Sequence, residues 1–196
     1  MNEVLKIPIL LGTNRKDRES ENVAKWVHSK MLERGDIAAV LFDVRDFDLP
    51  KDDYGTELAG RFPEWRDAIV NADGLVIVAP EYNHGYSGVL KSVLDVLLKQ
   101  YIHKAVALVG VSAGIFGGTR VIESLLPVVR ELGLTVTFTD LHFPRVKTKF
   151  DDEGNILDPA YEARIKDFLD ELIWMARSLK WGRDNLPSRH HKLKTT

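Results

Sequence analysis

Residues 74–95, GLVIVAPEYNHGYSGVLKSVLD, contain the strongest indication of the fold. Residues 74–79 are apolar throughout, which is typical of a strand that is buried on both faces. A loop with two glycines follows, and residues 89–100 then have the apolar spacing of a helix. In an open parallel sheet, ligands bind beyond the carboxyl ends of the strands, so the loop at 80–88 is a candidate binding site.

The same alternation of strand and helix extends over the rest of the chain. Strands are predicted at residues 6–11, 38–43, 74–79, 105–111 and 134–139, with helical spacing after each of them. This pattern predicts an α/β fold with a five-stranded parallel sheet and helices on both faces. We predict a last helix at 161–180, a single domain at 1–181, and a basic C-terminal tail at 182–196 that is flexible or partner-bound.

Composition excludes several classes of function. The chain has 196 residues, a formal net charge of −2 and no cysteine. The balanced charge argues against a nucleic-acid-binding protein, and the lack of cysteine excludes disulfides, thiolate metal sites and cysteine nucleophiles. The histidines are scattered, so we expect no metal site. No apolar run is long enough to span a membrane and no signal peptide is recognisable, so we expect a cytoplasmic protein without membrane contact.

The first candidate loop, residues 12–22, reads GTNRKDRESEN between a strand and the start of a helix. Unpaired backbone N–H groups and the helix dipole favour an anion at such a position. Thr13 and Ser20 provide hydroxyl groups, while Arg15 and Arg18 provide donors suited to phosphate oxygens. The loop matches neither GxGxxG nor GxxxxGK[ST], so a dinucleotide or nucleoside triphosphate site is not indicated. The alternative is a solvated, charged turn, since three acidic residues offset the arginines.

Two further loops leave the same edge of the predicted sheet. In residues 80–88, backbone N–H groups and the Asn83 amide could bind the edge of a planar ligand, with Tyr82 or Tyr86 stacking on it. Residues 111–119, VSAGIFGGT, contain three glycines that allow backbone to approach a flat ring. Ordinary tyrosine packing and a flexible turn are the alternatives. Three unusual loops at one edge favour a ligand site over coincidence.

Together, GTNRKDRESENVAKWV, PEYNHGYSGVLKSVLD and VSAGIFGGTRVIESLLPVVRELG resemble the NADPH-dependent FMN reductase family. The resemblance covers residues 6 to about 139, and PEYN followed by GxLK is its most specific part. It implies a flavodoxin-like fold, FMN as cofactor and NADPH or NADH as co-substrate. It also implies a small-molecule electron acceptor (a quinone, free flavin, azo dye or metal oxyanion) and assembly as a homodimer or a dimer-of-dimers tetramer.

The resemblance also implies roles for twelve residues, while the flavin itself carries the chemistry and no side chain is catalytic. The first loop would hold the FMN phosphate, partly through backbone N–H groups, the second would line the isoalloxazine edge, and the third would cover the ring and ribityl side. These groups are, in that order, Thr13, Arg15, Arg18, Glu19 and Ser20; Pro80, Glu81, Tyr82 and Asn83; and Ser112, Ala113 and Gly114. Asp17 departs from the family pattern, because many members have glycine there.

Two other classes of protein remain open from the sequence. A flavodoxin-type electron carrier would bind FMN but pass electrons to a protein partner. Such carriers are typically strongly acidic, which this chain is not. A flavin-free module would use the same loops for another phosphate ligand or for a protein. Direct reduction of a bound flavin by NAD(P)H distinguishes the enzyme from both alternatives.

Overall fold

The computed structural model describes residues 3–190, which contain eight strands and five α-helices. The strands are β1 (Leu5–Lys6), β2 (Ile9–Leu11), β3 (Ile37–Ala38), β4 (Leu41–Asp43), β5 (Gly74–Pro80), β6 (Lys104–Val111), β7 (Leu134–Val136) and β8 (Leu141–Phe143). The α-helices are α1 (Ser20–Leu32), α2 (Pro63–Asn71), α3 (Gly88–Asp95), α4 (Thr119–Glu131) and α5 (Ala160–Asn185).

The main sheet is parallel throughout and has the order β4-β2-β5-β6-β7, with β8 also paired to β6. A short parallel pair, β1 with β3, continues the first two strand positions. Pro8 separates β1 from β2, because proline has no N–H to donate to a neighbouring strand. Strand positions therefore run 2-1-3-4-5, which is the flavodoxin-like order, and the predicted fold class is confirmed.

The predicted number of strands differs from the observed number. The sheet has six strands rather than five, because the strand predicted at 134–139 ends at Val136 as β7 and an unpredicted strand, β8, follows at 141–143; the two pair with opposite ends of β6. The chain leaves the sheet between them, and Phe138 is 94% exposed there. Both pieces occupy the fifth position, so the topology is unchanged.

Helices cover both faces of the sheet, and each face has its own apolar core. One core packs α1 and α5 against the sheet, with Trp26, Phe143 and Tyr161 in contact edge-to-face or stacked. The other packs α2, α3 and α4 against the opposite face and includes the buried Trp65 and Tyr101. The strands β5 and β6 lie between the two cores and are buried along their whole length, which explains their continuous apolar sequences.

The last helix is longer than its sequence pattern indicates. The predicted end at residue 180 is wrong, since α5 continues through Gly182 to Asn185. Arg183 stabilises this extension by donating to Oδ1 of Asp73 at 2.8 Å and to the carbonyl of His103 at 2.7 Å. The first residues of the predicted tail thus belong to the helix. Residues 191–196 of that tail lie outside the described residues, and its flexibility or partner contact stays a prediction.

Candidate functional site

A cleft of about 290 Å³ lies at the carboxyl edge of the sheet, between the loops that follow β2, β5 and β6 and a turn that follows β8. Its volume is close to the lower end of the range for ligand pockets. Nine of the twelve predicted site residues line it: Arg15, Arg18, Glu19, Ser20, Pro80, Glu81, Tyr82, Ser112 and Ala113. Thr13, Asn83 and Gly114 do not line the cleft but brace the loops that form it. The three loops predicted to meet are therefore brought together.

Arg18 organises the first loop from inside. Its side chain is 2% exposed; it forms hydrogen-bonded ion pairs with both carboxylate oxygens of Asp43, at the end of β4, and with Glu21 at 3.3 Å. It also donates to the carbonyl of Thr13. Burial lowers the pKa of the guanidinium, but the hydrogen bond and charge of Asp43 outweigh this and raise the pKa overall. The positive charge of Arg18 is thus already compensated within the protein.

The N-terminus of α1 presents an unusual polar atom at the cleft. Ser20, the first residue of α1, is buried, and its Oγ has no hydrogen-bond partner among the described residues. The first N–H groups of a helix also lack intrahelical partners. Arg45 stabilises the loop that precedes this helix by donating hydrogen bonds to the carbonyls of Asn14 and Arg15. The guanidinium of Arg15 itself has no ion-pair or hydrogen-bond partner within residues 3–190. This end of the cleft is suited to an anion with several oxygens.

The second loop is a tight hairpin turn tied to the first loop. Tyr82 and Gly85 exchange two backbone hydrogen bonds of 2.9 Å, and the two residues between them have positive φ, 49° for Asn83 and 68° for His84. Asparagine tolerates that conformation better than most residues, which accounts for its place in the turn. The hydroxyl groups of Tyr82 and Thr13 are 2.9 Å apart and share a hydrogen bond. The backbone of residues 80–82 is thereby fixed along one wall of the cleft.

The third loop is braced by the chain that follows β8. The amide of Ser112 donates to the carbonyl of Phe143, and its hydroxyl donates to the carbonyl of Gly114 at 3.0 Å. The amide of Arg145 reaches the same Gly114 carbonyl at 2.8 Å. At the start of α4, a Cβ on Gly118 would lie 2.4 Å from the amide nitrogen of Val111. Glycine there allows α4 to begin directly over the end of β6.

A carboxylate and an arginine form the boundary between the cleft and its open rim. Oε1 of Glu81 lies 3.3 Å from Nη1 of Arg120, and the guanidinium of Arg120 lies 4.3 Å from the centre of the Phe116 ring. The other oxygen of Glu81 is buried and has no partner among the described residues, so it can accept a hydrogen bond from a ligand N–H. Phe116 and its neighbour Ile115 are exposed apolar side chains at this rim.

Four lining residues are not among the twelve predicted site residues: Asp17, Val111, Val146 and Lys147. Asp17 and Val111 lie within the predicted loops, and Asp17, with a φ of 51°, was expected only to offset the arginines and to depart from the family pattern. Val146 and Lys147 lie on a 3₁₀ turn after β8, about 30 residues beyond the third loop. Their segment carries no local sequence signal, and only the pairing of β8 with β6 brings it to the cleft.

These loops have a counterpart among known proteins. A family model described as NADPH-dependent FMN reductase matches residues 5–146, which include every cleft residue except Lys147. The chain belongs to the NADPH-dependent FMN reductase family. The resemblance noted in the sequence is therefore confirmed.

Several known proteins are similar to this chain over most of their own length. A 2-hydroxy-1,4-benzoquinone reductase from Burkholderia sp is 27% identical over 186 residues, covering 92% of this chain and 97% of the relative. A probable NADPH:quinone oxidoreductase 2 from Oryza sativa subsp. japonica is 30% identical over 196 residues, with coverage of 91% and 92%. The solved structure of FerB, a flavoenzyme NAD(P)H:(acceptor) oxidoreductase from Paracoccus denitrificans, superimposes with a TM-score of 0.74 at 22% identity, covering 89% of this chain and 98% of FerB.

The residues of this FMN reductase homologue fit the cofactor that the family name implies. A phosphate monoester needs hydrogen-bond donors and positive charge, and the unpaired Ser20 hydroxyl, the start of α1 and Arg15 provide them at one end of the cleft. A flat, polar ring needs close backbone and a few acceptors, and the hairpin at 80–85, the third loop and the free oxygen of Glu81 provide these.

Within residues 3–190, no helix has the length and hydropathy needed to cross a membrane.

Proposed function

We propose that the chain is an FMN-dependent NAD(P)H:acceptor oxidoreductase that works by a ping-pong sequence at this cleft. NADPH or NADH binds first and leaves oxidised, and a small-molecule acceptor then takes its place. Quinones, free flavin, azo dyes and metal oxyanions are the proposed acceptors. The observation that carries the proposal is the family match over residues 5–146, which spans the loops that form the cleft. The two curated relatives that act on quinones support a quinone as the first acceptor to test.

The protein's part in this reaction is binding, orientation and control of access. When bound, FMN supplies the capacity to accept a hydride and to release electrons singly or in pairs, so no side-chain nucleophile is required. We propose that Ser20 and Arg15 hold the phosphate and that residues 80–83 fix one edge of the ring. Residues 112–114 would cover the ring and ribityl side. The apolar rim at Ile115 and Phe116 would then receive the nicotinamide and the acceptor in turn.

An anaerobic titration tests the proposal. Protein reconstituted with FMN is mixed with one equivalent of NADPH, and the visible absorbance of the flavin is followed; a parallel titration uses NADH. We expect rapid, stoichiometric bleaching that is reversed by a quinone. Free FMN at the same concentration is the control, since it must react far more slowly. Failure of the protein to bind FMN would refute the site and the function together.

A flavodoxin-type electron carrier is the second candidate, and the same titration separates it. A carrier would bind FMN yet stay oxidised with NAD(P)H and accept electrons only through a protein partner. The formal net charge of −2 favours the enzyme, because carriers of this kind are typically far more acidic. Bound flavin that is not bleached would move the assignment to the carrier class.

We also propose assembly and location for this enzyme. By analogy with its family, the protein would form a homodimer or a tetramer built from two dimers. Light scattering during size-exclusion chromatography measures this directly, and a monomeric mass would contradict it. The cytoplasm is the proposed location, because NADPH and NADH are generated there. The balanced charge gives no support for a nucleic-acid partner.

A further inference from the structure

The phosphate end of the cleft contains less positive charge than its sequence suggests. Arg18 is neutralised by Asp43 and Glu21, and its guanidinium is buried among them. Asp17 and Glu19 also line this cleft and add negative charge. The first loop therefore leaves Arg15 as its only uncompensated arginine within the described residues. A phosphate monoester carries almost two negative charges at neutral pH, so a further cation is needed to balance the site.

Lys147 is placed to provide this charge. It lines the same cleft as Ser20 and Arg15 and lies on the 3₁₀ turn Val146–Thr148. Its ammonium group has no ion-pair or hydrogen-bond partner in the part of the chain that the structure describes. Lys149, two residues later, differs in this respect, because its ammonium lies 3.8 Å from Asp158 and 5.5 Å from the Tyr161 ring centre.

The turn that carries Lys147 is held rigidly. The amide of Val146 donates to the carbonyl of Ser112 at 3.1 Å, and Thr148 donates back to Arg145 through its amide and its hydroxyl. Val146 is also buried in the apolar core that contains the first turns of α1. Binding a ligand therefore requires ordering of the exposed Lys147 side chain but not of its backbone, which is already fixed between the third loop and α1.

We propose that Lys147 is a binding residue for the phosphate of the cofactor and acts with Arg15 and the hydroxyl of Ser20. Lys147 supplies positive charge to the phosphate, whereas the charge of Arg18 is already neutralised by Asp43. This inference rests on the proposed function, since it assumes that the cleft binds FMN. Lys147 thus contributes to affinity and leaves the electron-transfer steps to the ring.

The comparison of FMN with riboflavin tests this role, because riboflavin has the same ring and no phosphate. Dissociation constants are measured by quenching of flavin fluorescence for the parent protein, Lys147→Gln and the matched control Lys149→Gln. We expect Lys147→Gln to weaken FMN binding roughly tenfold and to leave riboflavin binding unchanged, because one charge-assisted contact is lost. Lys147→Arg should retain most of the FMN affinity, and Lys149→Gln should bind both flavins like the parent.

Each other outcome has a definite meaning. Unchanged FMN affinity in Lys147→Gln would overturn the proposal. An equal loss for FMN and riboflavin would also overturn it, since it would show a role in shaping the cleft instead of binding phosphate. Added salt should weaken FMN binding to the parent more than to Lys147→Gln. A parent protein that binds neither flavin would contradict the proposed function itself, which is a result distinct from the failure of Lys147.

Discussion

Replacing Asp43 by alanine is expected to destabilise the protein by leaving a buried charge without its main partner. The side chain of Arg18 is 2% exposed and that of Asp43 is 24% exposed. Breaking a buried ion pair by removing one partner costs about 3–5 kcal/mol. Glu21 at 3.3 Å and the carbonyl of Thr13 still face the guanidinium, and Asp43 is partly solvated. We therefore expect a smaller loss, of about 2–3 kcal/mol.

Urea unfolding of the cofactor-free protein, followed by circular dichroism, measures this loss. Asp43→Asn keeps one acceptor oxygen but removes the charge and the second acceptor, so it should lose about 1.5–2 kcal/mol. In a thermal scan, Asp43→Ala should melt roughly 4–12 °C lower, given the size of the chain. Lys166→Ala is the control, because the pair of Lys166 with Asp170 is exposed and its loss should leave stability unchanged.

The effect of Asp43 should also depend on pH. Burial raises the pKa of the Asp43 carboxyl, but the hydrogen bond and charge of Arg18 outweigh this, so the pKa is lowered overall. A carboxyl of this kind stabilises the fold above its unfolded-state pKa and loses this contribution as the pH falls through its folded-state pKa. The difference between parent and Asp43→Ala should thus shrink below about pH 4. A loss under about 0.5 kcal/mol at neutral pH, or a difference independent of pH, would refute the reasoning.

Three other substitutions test separate features. Gly118→Ala should destabilise by about 3 kcal/mol, because φ is +82° and the added Cβ would meet backbone at 2.4 Å, whereas Gly35→Ala meets no atom within 4 Å and should be nearly neutral by urea unfolding. Burial lowers the pKa of Lys104 from 10.5 to about 8. Between about pH 8 and pH 10.5 the unfolded chain therefore binds more protons than the folded chain. The free energy of unfolding of the parent should rise by about 3 kcal/mol across this range, and that of Lys104→Met should stay constant. Equal rises in the two proteins would contradict the assignment. Tyr82→Phe removes the hydroxyl bond to the first loop and should lose about 1 kcal/mol in the same assay, with the exposed Tyr54→Phe unchanged.

The strands and helices that depend on local pattern could be predicted from the sequence. The apolar runs at 74–79 and 105–111 correspond to β5 and β6 within a residue, because strands buried on both faces need continuous apolar side chains. The strand predicted at 134–139 was too long, although LTVTFT alternates apolar and threonine residues as strands often do. Phe138 extends its apolar, β-favouring pattern, yet its side chain points into solvent where the chain leaves the sheet. The last helix was predicted too short, because the ion pair between Arg183 and Asp73 stabilises α5 beyond Gly182.

For the candidate site as well, features set by local sequence could be predicted, and contacts between residues distant in sequence could not. Loops directly after strands could be predicted, since the carboxyl ends of parallel strands share one edge. The partner of Arg18 could not, because Asp43 is 25 residues away and its position depends on the pairing of β2 with β4. The position of Lys147 at the cleft likewise depends on the pairing of β8 with β6. The type of a side chain alone therefore does not reveal which distant residues it already contacts.

The bonds that join the loops to one another have a consequence for how this protein can change over generations. The loops around the proposed cofactor cleft are held together by backbone hydrogen bonds and by the hydrogen bond between the hydroxyls of Thr13 and Tyr82. Ile115 and Phe116 lie outside that framework, at the exposed rim. If the cleft binds the flavin as proposed, mutations at this rim would change which molecules reach the flavin while the hydrogen bonds between the loops stay intact. New acceptors would then arise by single substitutions that preserve flavin binding.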